Sequence, residues 1–177
     1  MTLASLPEAI ATYALRWPEE KAIASRYESL LQHPDAFQRT HLPGHITGSA
    51  FIVNSGLTHT LLVHHAKLNR WLQPGGHADG DTDVVGVARR EANEETGVMN
   101  LILVSPGIYD LDIHPIPARK DFPLHDHYDV RFLFQASMDE AVVVSEESHD
   151  VRWVSLADLE RYNAEPSVMR LRAKLPR

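Results

Sequence analysis

Residues 71–98 read WLQPGGHADGDTDVVGVARREANEETGV and carry most of the functional information in this chain. A double glycine is followed fourteen residues later by Arg-Glu, and then by Glu-Glu-x-Gly. At a frequency of about 7% for each fixed residue, the seven matching positions would coincide in about one random window per hundred million. The segment is therefore a motif. Its fixed positions are Gly75, Gly76, Arg90, Glu91, Glu94, Glu95 and Gly97.

The composition limits the class of protein. With 177 residues and 44% hydrophobic content, the chain fits one domain with one core. No apolar run approaches the roughly 20 residues of a membrane-spanning helix, and residues 1–17 lack a secretion signal, so we expect a cytoplasmic protein. The absence of cysteine leaves carboxylates and 11 histidines as metal ligands. A formal charge of −7 disfavours nucleic acid and anionic membranes as partners, and a small anionic substrate would need a metal ion to mask its charge.

The first third of the chain is predicted to be helical. Apolar residues recur at helical spacing over residues 3–15, and again after Pro18, which starts a second helix that ends at His33-Pro34. We expect residues 1–44 to form a helical extension and residues 45–177 the main domain, which carries the motif. The extension could form a homodimer interface, cap a pocket or cover one side of a sheet, and covering is the commonest fate of such helices.

From Ile46 onward the pattern changes to β-structure. The segments ITGSAFIVN and TLLVHH flank a turn at Asn54-Ser55-Gly56 and predict a β-hairpin. A Pro-Gly-Gly loop then precedes a helix from about Asp83 to Thr96, with Gly97 as its stop. Further strands are expected around residues 102–112, 128–136 and 150–155, and further helices near residues 156–162 and 168–174.

Three glutamates on the predicted helix favour a divalent cation. Glu91, Glu94 and Glu95 stand at i, i+3 and i+4, so their carboxylates project from one face and repel one another. An isolated E-x-x-E-E would indicate only a solvated helix face. Here it is attached to the glycines and to Arg90, and Mg²⁺ is typically shared between carboxylates and substrate phosphates. The pattern therefore indicates an ion site.

The glycines and Arg90 are expected to shape that site. Glycine at 75 and 76 permits a positive φ and a close approach of the backbone, so a main-chain carbonyl there can face the ion or a phosphate. Arg90 is expected to reach back to the glycine loop or to a loop carboxylate and so hold the loop to the helix. A turn and a surface arginine are the simpler interpretations of these residues taken singly.

Together these residues resemble the signature of the Nudix hydrolase family. Gly76, Arg90, Glu91, Glu94, Glu95, Gly97 and Val98 fall in register with it, and Ala92 takes the place of an aliphatic residue. The departure is Thr82, where the family has its first glutamate; Asp79, Asp81 or Asp83 could supply that carboxylate, and Thr82 could cap the helix. The resemblance implies an α+β fold, the α/β/α sandwich with a mixed sheet, plus the helical extension.

The resemblance also implies an activity and its cofactor. The implied reaction is Mg²⁺- or Mn²⁺-dependent hydrolysis of a diphosphate bond in a nucleoside diphosphate derivative. Glu94 and Glu95 would be metal ligands, Glu91 a ligand or water-orienting carboxylate, and Gly76 would contribute its carbonyl; any of the three glutamates could act as the base. Glu147, beside Glu146 on a late loop, would be a further ligand or the base; an exposed acidic loop is the alternative.

A polar strand face forms the second unusual feature. In HDHYDVRFLF, strand alternation puts His125, His127, Asp129 and Arg131 on one side. His125, His127 and Asp129 could hold a transition metal, with His77 as a further ligand, or these side chains could contact substrate; hydrogen-bonded histidines on an open sheet face are the alternative. Arg119 and Lys120 are candidate phosphate contacts or ordinary surface charges.

Two other functions remain open from the sequence. Thr82 and the helical extension mildly favour a non-catalytic nucleotide-binding sensor on the same fold, whereas the three retained glutamates argue against it. Isomerisation of isoprenoid diphosphates is disfavoured, because that chemistry in the family uses a cysteine and this chain has none. The residues do not distinguish ADP-ribose-like compounds, dinucleotides, nucleotide sugars and damaged triphosphates as substrates.

Overall fold

The computed structural model describes residues 5–119 and 122–176, which form one mixed sheet flanked by helices. None of the helices in these ranges is long and apolar enough to cross a membrane. The helices are α1 (Leu6–Arg16), α2 (Lys21–Leu30), α3 (Val84–Thr96), α4 (Leu159–Tyr162) and α5 (Pro166–Ala173), with a 3-10 turn at Pro18–Glu20. The strands are β1 (Gly44–Val53), β2 (His59–His65), β3 (Arg70–Leu72), β4 (Gly75–His77), β5 (Ile102–Leu103), β6 (Asp110–Ile116), β7 (His125–Gln135) and β8 (Ser148–Ser155).

Strand β1 is the centre of the sheet. It pairs antiparallel with β2 and with β4 along one edge, and parallel with β7 along the other. Strands β5 and β6 pair with β7, while β3 and β8 pair with β2. The mixed sheet is confirmed. Two details differ from the sequence prediction: the Pro-Gly-Gly segment is a loop only as far as Pro74 and then forms β4, and the strand expected over 102–112 is divided into β5 and β6.

Helices cover both faces of the sheet, which confirms the sandwich. On one face, α3 and the two N-terminal helices share a core with alternate residues of β1 and β7. On the other face, α4 and α5 pack over a second cluster. The first core includes Ile10, Tyr27, Ile46, Ile52, Val87, Ala88, Ala92, Val130 and Phe134, and the second includes Phe51, Val53, Leu62, Leu133, Leu159, Val168 and Leu171.

The N-terminal helices cover the sheet, one of the three roles considered for them. Ile10 and Tyr27 are fully buried in the first core. The Tyr27 hydroxyl lies 2.7 Å from the carbonyl oxygen of Asp112 and 2.8 Å from that of Asp129, which connects α2 to β6 and β7. A division of the chain after residue 44 stays a prediction.

A buried ammonium group joins the two ends of the described chain. Nζ of Lys174 lies 2.7 Å from Oδ1 of Asp110, 2.7 Å from the hydroxyl of Tyr13 and 2.7 Å from Oε1 of Glu20. Asp110 is fully buried, and only 5% of the Lys174 side chain is exposed. The segment after α5 is thus fixed to α1 and to the turn that precedes α2.

The helix that carries the glutamates has clear start and stop signals. The side chain of Asp83 accepts a hydrogen bond of 3.0 Å from the Gly86 N–H, and Gly97 ends the helix with φ +74°. A carboxylate that accepts from a first-turn N–H satisfies an otherwise unpaired donor. The cap predicted at Thr82 is therefore wrong by one residue, whereas the glycine stop is confirmed.

Candidate active site

The two glycines of β4 allow the backbone to approach its neighbours closely. A Cβ on Gly75 would lie 2.3 Å from Oγ of Ser49, and a Cβ on Gly76 would lie 2.3 Å from Oε2 of Glu91. Neither glycine has a positive φ; among the described glycines only Gly80 and Gly97 do. The sequence suggested two reasons for these glycines, a positive φ and a close approach of the backbone. The structure supports the close approach and not the positive φ.

Glu95 is a buried carboxylate beside the glycine strand. Its residue surface is 8% exposed, and Oε2 accepts a hydrogen bond of 3.1 Å from the Gly75 N–H. Burial raises the pKa of Glu95 to about 8, because the charged form has lost water without gaining a cationic partner. The charges of Glu91, Glu94 and Glu147 raise the Glu95 pKa further.

Glu91 and Glu94 complete the acidic face of α3. Glu91 is mostly buried against Gly76, and burial raises its pKa, while Glu94 is largely exposed. Within the described part of the chain, the three carboxylates do not all come within 4.8 Å of one another. Glu91 and Glu95 lie against the backbone of β4, and Glu94 lies 4.0 Å from Nε of Arg90.

Arg90 links the glycine strand to the helix. Its Nη2 donates to the carbonyl oxygen of His77 at 3.3 Å and to Oε1 of Glu91 at 3.0 Å. The hydrogen bond to His77 is the contact with the glycine segment that the sequence predicted for Arg90, whereas the contact with its neighbour Glu91 was not expected.

The family's loop glutamate position is Thr82, and three aspartates lie close to it in sequence. Of these, Asp81 lies nearest Arg90, with 4.0 Å between Oδ2 and Nη1. Asp79 instead pairs with Arg39, and Asp83 caps α3.

The other predicted acidic and basic residues lie at the surface. Glu147 is 62% exposed in its side chain, with an oxygen 3.9 Å from Nζ of Lys67, and its carbonyl accepts from the Ala66 N–H. Arg119 is exposed in a short bridge with Phe122, and Lys120 lies outside the described residues. Catalytic or phosphate-binding roles for Glu147 and Arg119 stay predictions.

Asp129 and Arg131 are buried, contrary to the prediction of a polar open face. Each is 2% exposed, and Nε of Arg131 donates to Asp129 at 2.8 Å. Arg131 also donates to Asp110, to Asp112 and to the carbonyl of Ser167 in α5, while Asp129 accepts from Thr47 and Ser49. Because helix α5 closes over this end of the face, the placement corrects the expectation that the two residues contact substrate or a metal ion.

At the other end of the same face, histidines gather. His77 and His127 lie together as the sequence suggested, and the ring of His45, which the sequence reasoning missed, lies about equally close to both. His125 stacks on His45 with ring centroids 5.0 Å apart. Burial lowers the pKa of His77 to about 4 and that of His127 to about 2, and also lowers that of His45, which favours neutral rings.

Comparison with known proteins gives one family and many related folds. The family model of the NUDIX domain matches residues 45–174. The fold is similar to a C. elegans Ap4A hydrolase in a binary complex, with a TM-score of 0.59 and 19% identity over 73% of this chain and 93% of that one. It is also similar to a MutT protein from Methanosarcina mazei Go1, with a TM-score of 0.55 and 22% identity over 75% and 92% of the chains.

A third similar structure is the E. coli dihydroneopterin triphosphate pyrophosphohydrolase, with a TM-score of 0.58 and 12% identity over 73% of this chain and 93% of that one. A search of the curated proteins gives no match. The sandwich and the family match define a hydrolase of pyrophosphate bonds. The family match spans most of the chain, and the protein belongs to the Nudix family.

Proposed function

We propose that the protein hydrolyses a diphosphate bond in a nucleoside diphosphate derivative and requires Mg²⁺ or Mn²⁺. The observation that carries the proposal is the buried carboxylate of Glu95, which has one main-chain donor and lies beside Glu91 and the glycine strand. A buried carboxylate without a cationic partner is costly unless another charge compensates it. A divalent cation is the compensating charge that this chemistry needs.

The donor set fits a hard divalent ion. Carboxylate oxygens come from Glu91, Glu94 and Glu95, and the main-chain oxygen of Gly76 is a further proposed ligand. Mg²⁺ and Mn²⁺ prefer oxygen donors, and Mg²⁺ keeps several waters, so the carboxylates need not all touch it. A side chain at residue 76 would collide with the carboxylate of Glu91, and this explains why the position is glycine. When bound, the ion would supply charge neutralisation for the diphosphate.

The protein's own residues would mainly orient the reacting groups. Arg90 holds β4 against α3 and thereby fixes Glu91, while the Gly75 N–H fixes Glu95. Phosphoryl transfer depends on positioning and electrostatic stabilisation more than on a covalent nucleophile. We assign Glu147 as the base that accepts the proton of the attacking water, because it is exposed on a loop and its charge acts on Glu95.

A nucleotide is the proposed substrate class. The names of two similar proteins refer to Ap4A and to dihydroneopterin triphosphate, which both carry phosphate anhydride bonds. His77 of β4 and His127 of β7, which are partly exposed, are proposed to contact the substrate together with Arg119 and the buried His125. The negative net charge of the chain supports a substrate whose own charge is masked by the cation.

The test is a product analysis by mass on a panel of nucleoside diphosphate derivatives, with Mg²⁺, with Mn²⁺ and with a chelator. We expect turnover with either metal and loss of turnover with the chelator. Glu94→Gln and Glu95→Gln should each lower kcat by about 10²- to 10³-fold, the effect of removing one group that stabilises developing charge. Glu160→Gln, at an exposed position in α4, is the matched control and should leave kcat unchanged.

Two outcomes would contradict the proposal. Full turnover in the chelator would exclude the metal requirement. Tight nucleotide binding without cleavage anywhere in the panel would support the non-catalytic sensor instead. Glu147→Gln separately tests the base: it should lower kcat while the affinity for the metal ion stays unchanged.

A further inference from the structure

Three histidines converge on the sheet face opposite α3. They are His45 of β1, His77 of β4 and His127 of β7, and we call them the histidine cluster. His45 lies directly opposite His127 in the parallel pair, and His77 lies opposite Thr47, two residues further along β1. Since residues two apart in a strand share a face, all three side chains point to the same side of three neighbouring strands.

The rings are close enough to share one ion. Each histidine offers a ring nitrogen, and the three nitrogens all lie within 4.8 Å of one another; in residues 5–119 and 122–176 this is the one set of three potential ligands that does so. The ring centroids are 5.2 Å apart for His45 and His77, 5.1 Å for His45 and His127, and 4.9 Å for His77 and His127. Nitrogens on one tetrahedral Zn²⁺ are about 3.3 Å apart, so small ring rotations suffice.

Two of these rings have buried nitrogens that lack a partner. Nδ1 of His45 lies 3.2 Å from the carbonyl oxygen of His41, which can only accept, so the proton of a neutral ring is on Nδ1 and Nε2 carries a lone pair. Nε2 of His45 and Nε2 of His127 are buried and have no hydrogen-bond partner among the described atoms. Unpaired buried polar atoms are rare and require an explanation. A ligating histidine that donates its other N–H to a backbone carbonyl is the usual arrangement at metal sites.

We propose that His45, His77 and His127 bind one transition-metal ion, with Zn²⁺ as the best match, and leave a coordination position open. Imidazole suits Zn²⁺, Cu²⁺, Fe²⁺ and Ni²⁺, whereas Mg²⁺ requires oxygen. A set of three histidines with an open fourth position is a known Zn²⁺ arrangement. An anionic oxygen of a small ligand can occupy the open position.

This site differs from the metal set that the strand pattern predicted. Asp129 is unavailable because Thr47, Ser49 and Arg131 already donate to it. His125 stacks on His45 and is not among the converging nitrogens. The site also differs from the glutamate site, because in β4 the Gly76 Cα faces Glu91 on α3 while the next residue, His77, faces the opposite side of the sheet.

The experiment measures zinc binding directly. Protein prepared without an affinity tag and stripped with a chelator is titrated with ZnSO₄ by calorimetry, with and without a large excess of MgCl₂ as a competitor for oxygen-ligand sites. Elemental analysis after gel filtration counts the bound ions. We expect one Zn²⁺ per chain, and a visible absorption band when Co²⁺ replaces it. The melting temperature should rise with the free zinc concentration.

Variants assign the ligands. His77→Gln and His127→Gln should each weaken zinc binding by more than about tenfold, since loss of an outer partner alone costs about 10- to 100-fold. His59→Gln, at the far end of β2 and outside the histidine cluster, is the matched control and should bind zinc as the wild type does. Circular dichroism checks that the variants fold, and the partly exposed His77 supplies the test even where substitution of the fully buried His45 prevents folding.

The proposal is wrong if zinc affinity is unchanged in both His77→Gln and His127→Gln. It is also wrong if Glu95→Gln abolishes zinc uptake while the histidine variants retain it, because the zinc would then occupy the glutamate site. Since no step measures hydrolysis, the outcome does not depend on the proposed function.

Discussion

The Cα atom of Gly76 lies directly against the carboxylate of Glu91. A Cβ at residue 76 would be 2.3 Å from Oε2 and 2.4 Å from the carboxylate carbon of Glu91. No pair of atoms of this kind can be so close, so any side chain at 76 must displace either the glutamate or the strand. Gly48 of β1 pairs with Gly76 and also lies close to α3, since a Cβ there would be 2.9 Å from the carbonyl oxygen of Val84. The glycines thus set the distance between the sheet and the acidic helix.

Gly76→Ala should lower the affinity for Mg²⁺ and the rate of hydrolysis together. The added methyl group displaces Glu91, and a misplacement of about 1 Å can cost 10²-fold in rate. Calorimetry with Mg²⁺ and steady-state kinetics measure the two effects. Gly107→Ala is the control, because a Cβ there meets nothing within 4 Å. Wild-type kinetics in Gly76→Ala would show that the close approach is not required.

Arg131→Met should destabilise the fold. Any loss of activity should result from this loss of stability and not from a lost contact with the substrate. Its side chain is only 3% exposed and pairs with Asp110, Asp112 and Asp129, so its removal leaves buried carboxylates uncompensated. Breaking a buried pair in this way costs about 3–5 kcal/mol. Urea unfolding gives the free energy of unfolding. Arg161→Met, at an exposed pair with Asp158, should change it by less than about 0.5 kcal/mol.

If Arg131 contacted substrate, as the strand pattern predicted, the variant would keep its stability and lose affinity for the nucleotide. That result would contradict the structural role assigned to it here.

Asp110→Asn should destabilise the protein at neutral pH and much less in acid. Burial opposes the charged form of Asp110, but Arg170, Arg131 and Lys174 hold its pKa below the ordinary 3.8. A lowered pKa in the folded state gives a stabilisation that is complete above the unfolded-state pKa and is lost as the pH falls through the folded-state value. The loss at pH 7 should be about 3–5 kcal/mol.

Urea unfolding of wild type and Asp110→Asn across a pH series checks this expectation: the difference between the two free energies should begin to narrow below about pH 4 and shrink further as the pH falls through the folded-state pKa. Asp158→Asn, at the exposed pair with Arg161, should show no such convergence because it has little stabilisation to lose. A difference that persists undiminished in acid would contradict the ion-pair explanation.

Two positions in α1 test whether the N-terminal helices are part of the core. Ile10 is fully buried, and Ile10→Ala should lower the free energy of unfolding by about 2–5 kcal/mol. Leu15 is 83% exposed, and Leu15→Ala should change it by less than about 0.5 kcal/mol. Chemical denaturation followed by circular dichroism measures both. Equal, small effects would mean that α1 is only loosely attached.

The sequence predicts the acidic helix and its contacts well because those signals are local. Glu91, Glu95 and Gly97 are fixed by helical spacing and a glycine stop, and Arg90 is close enough in sequence to reach β4. The three-residue strand β4 is too short to leave a periodic pattern of its own. Its pairing with β1 is nevertheless what makes Gly75 and Gly76 necessary.

The histidine and ion-pair clusters depend on contacts between distant segments. His45 meets His127 only because β1 and β7 pair in parallel, and no local pattern sets that register. Alternation correctly put Asp129 and Arg131 on one strand face. It could not predict that α5 would cover them, since Ser167 is 36 residues from Arg131.

The ammonium group of Lys174 affects how the protein unfolds. Lys174 binds Tyr13 and Glu20 in the N-terminal segment and Asp110 in the sheet. If either the N-terminal helices or the segment after α5 detached, a buried charged group would lose its partner, which is costly. Local unfolding of the N-terminal helices therefore destabilises the segment after α5, and the reverse also holds. The amide protons of helices α1, α2 and α5 should therefore exchange at the rate of global unfolding, as one cooperative unit with the sheet.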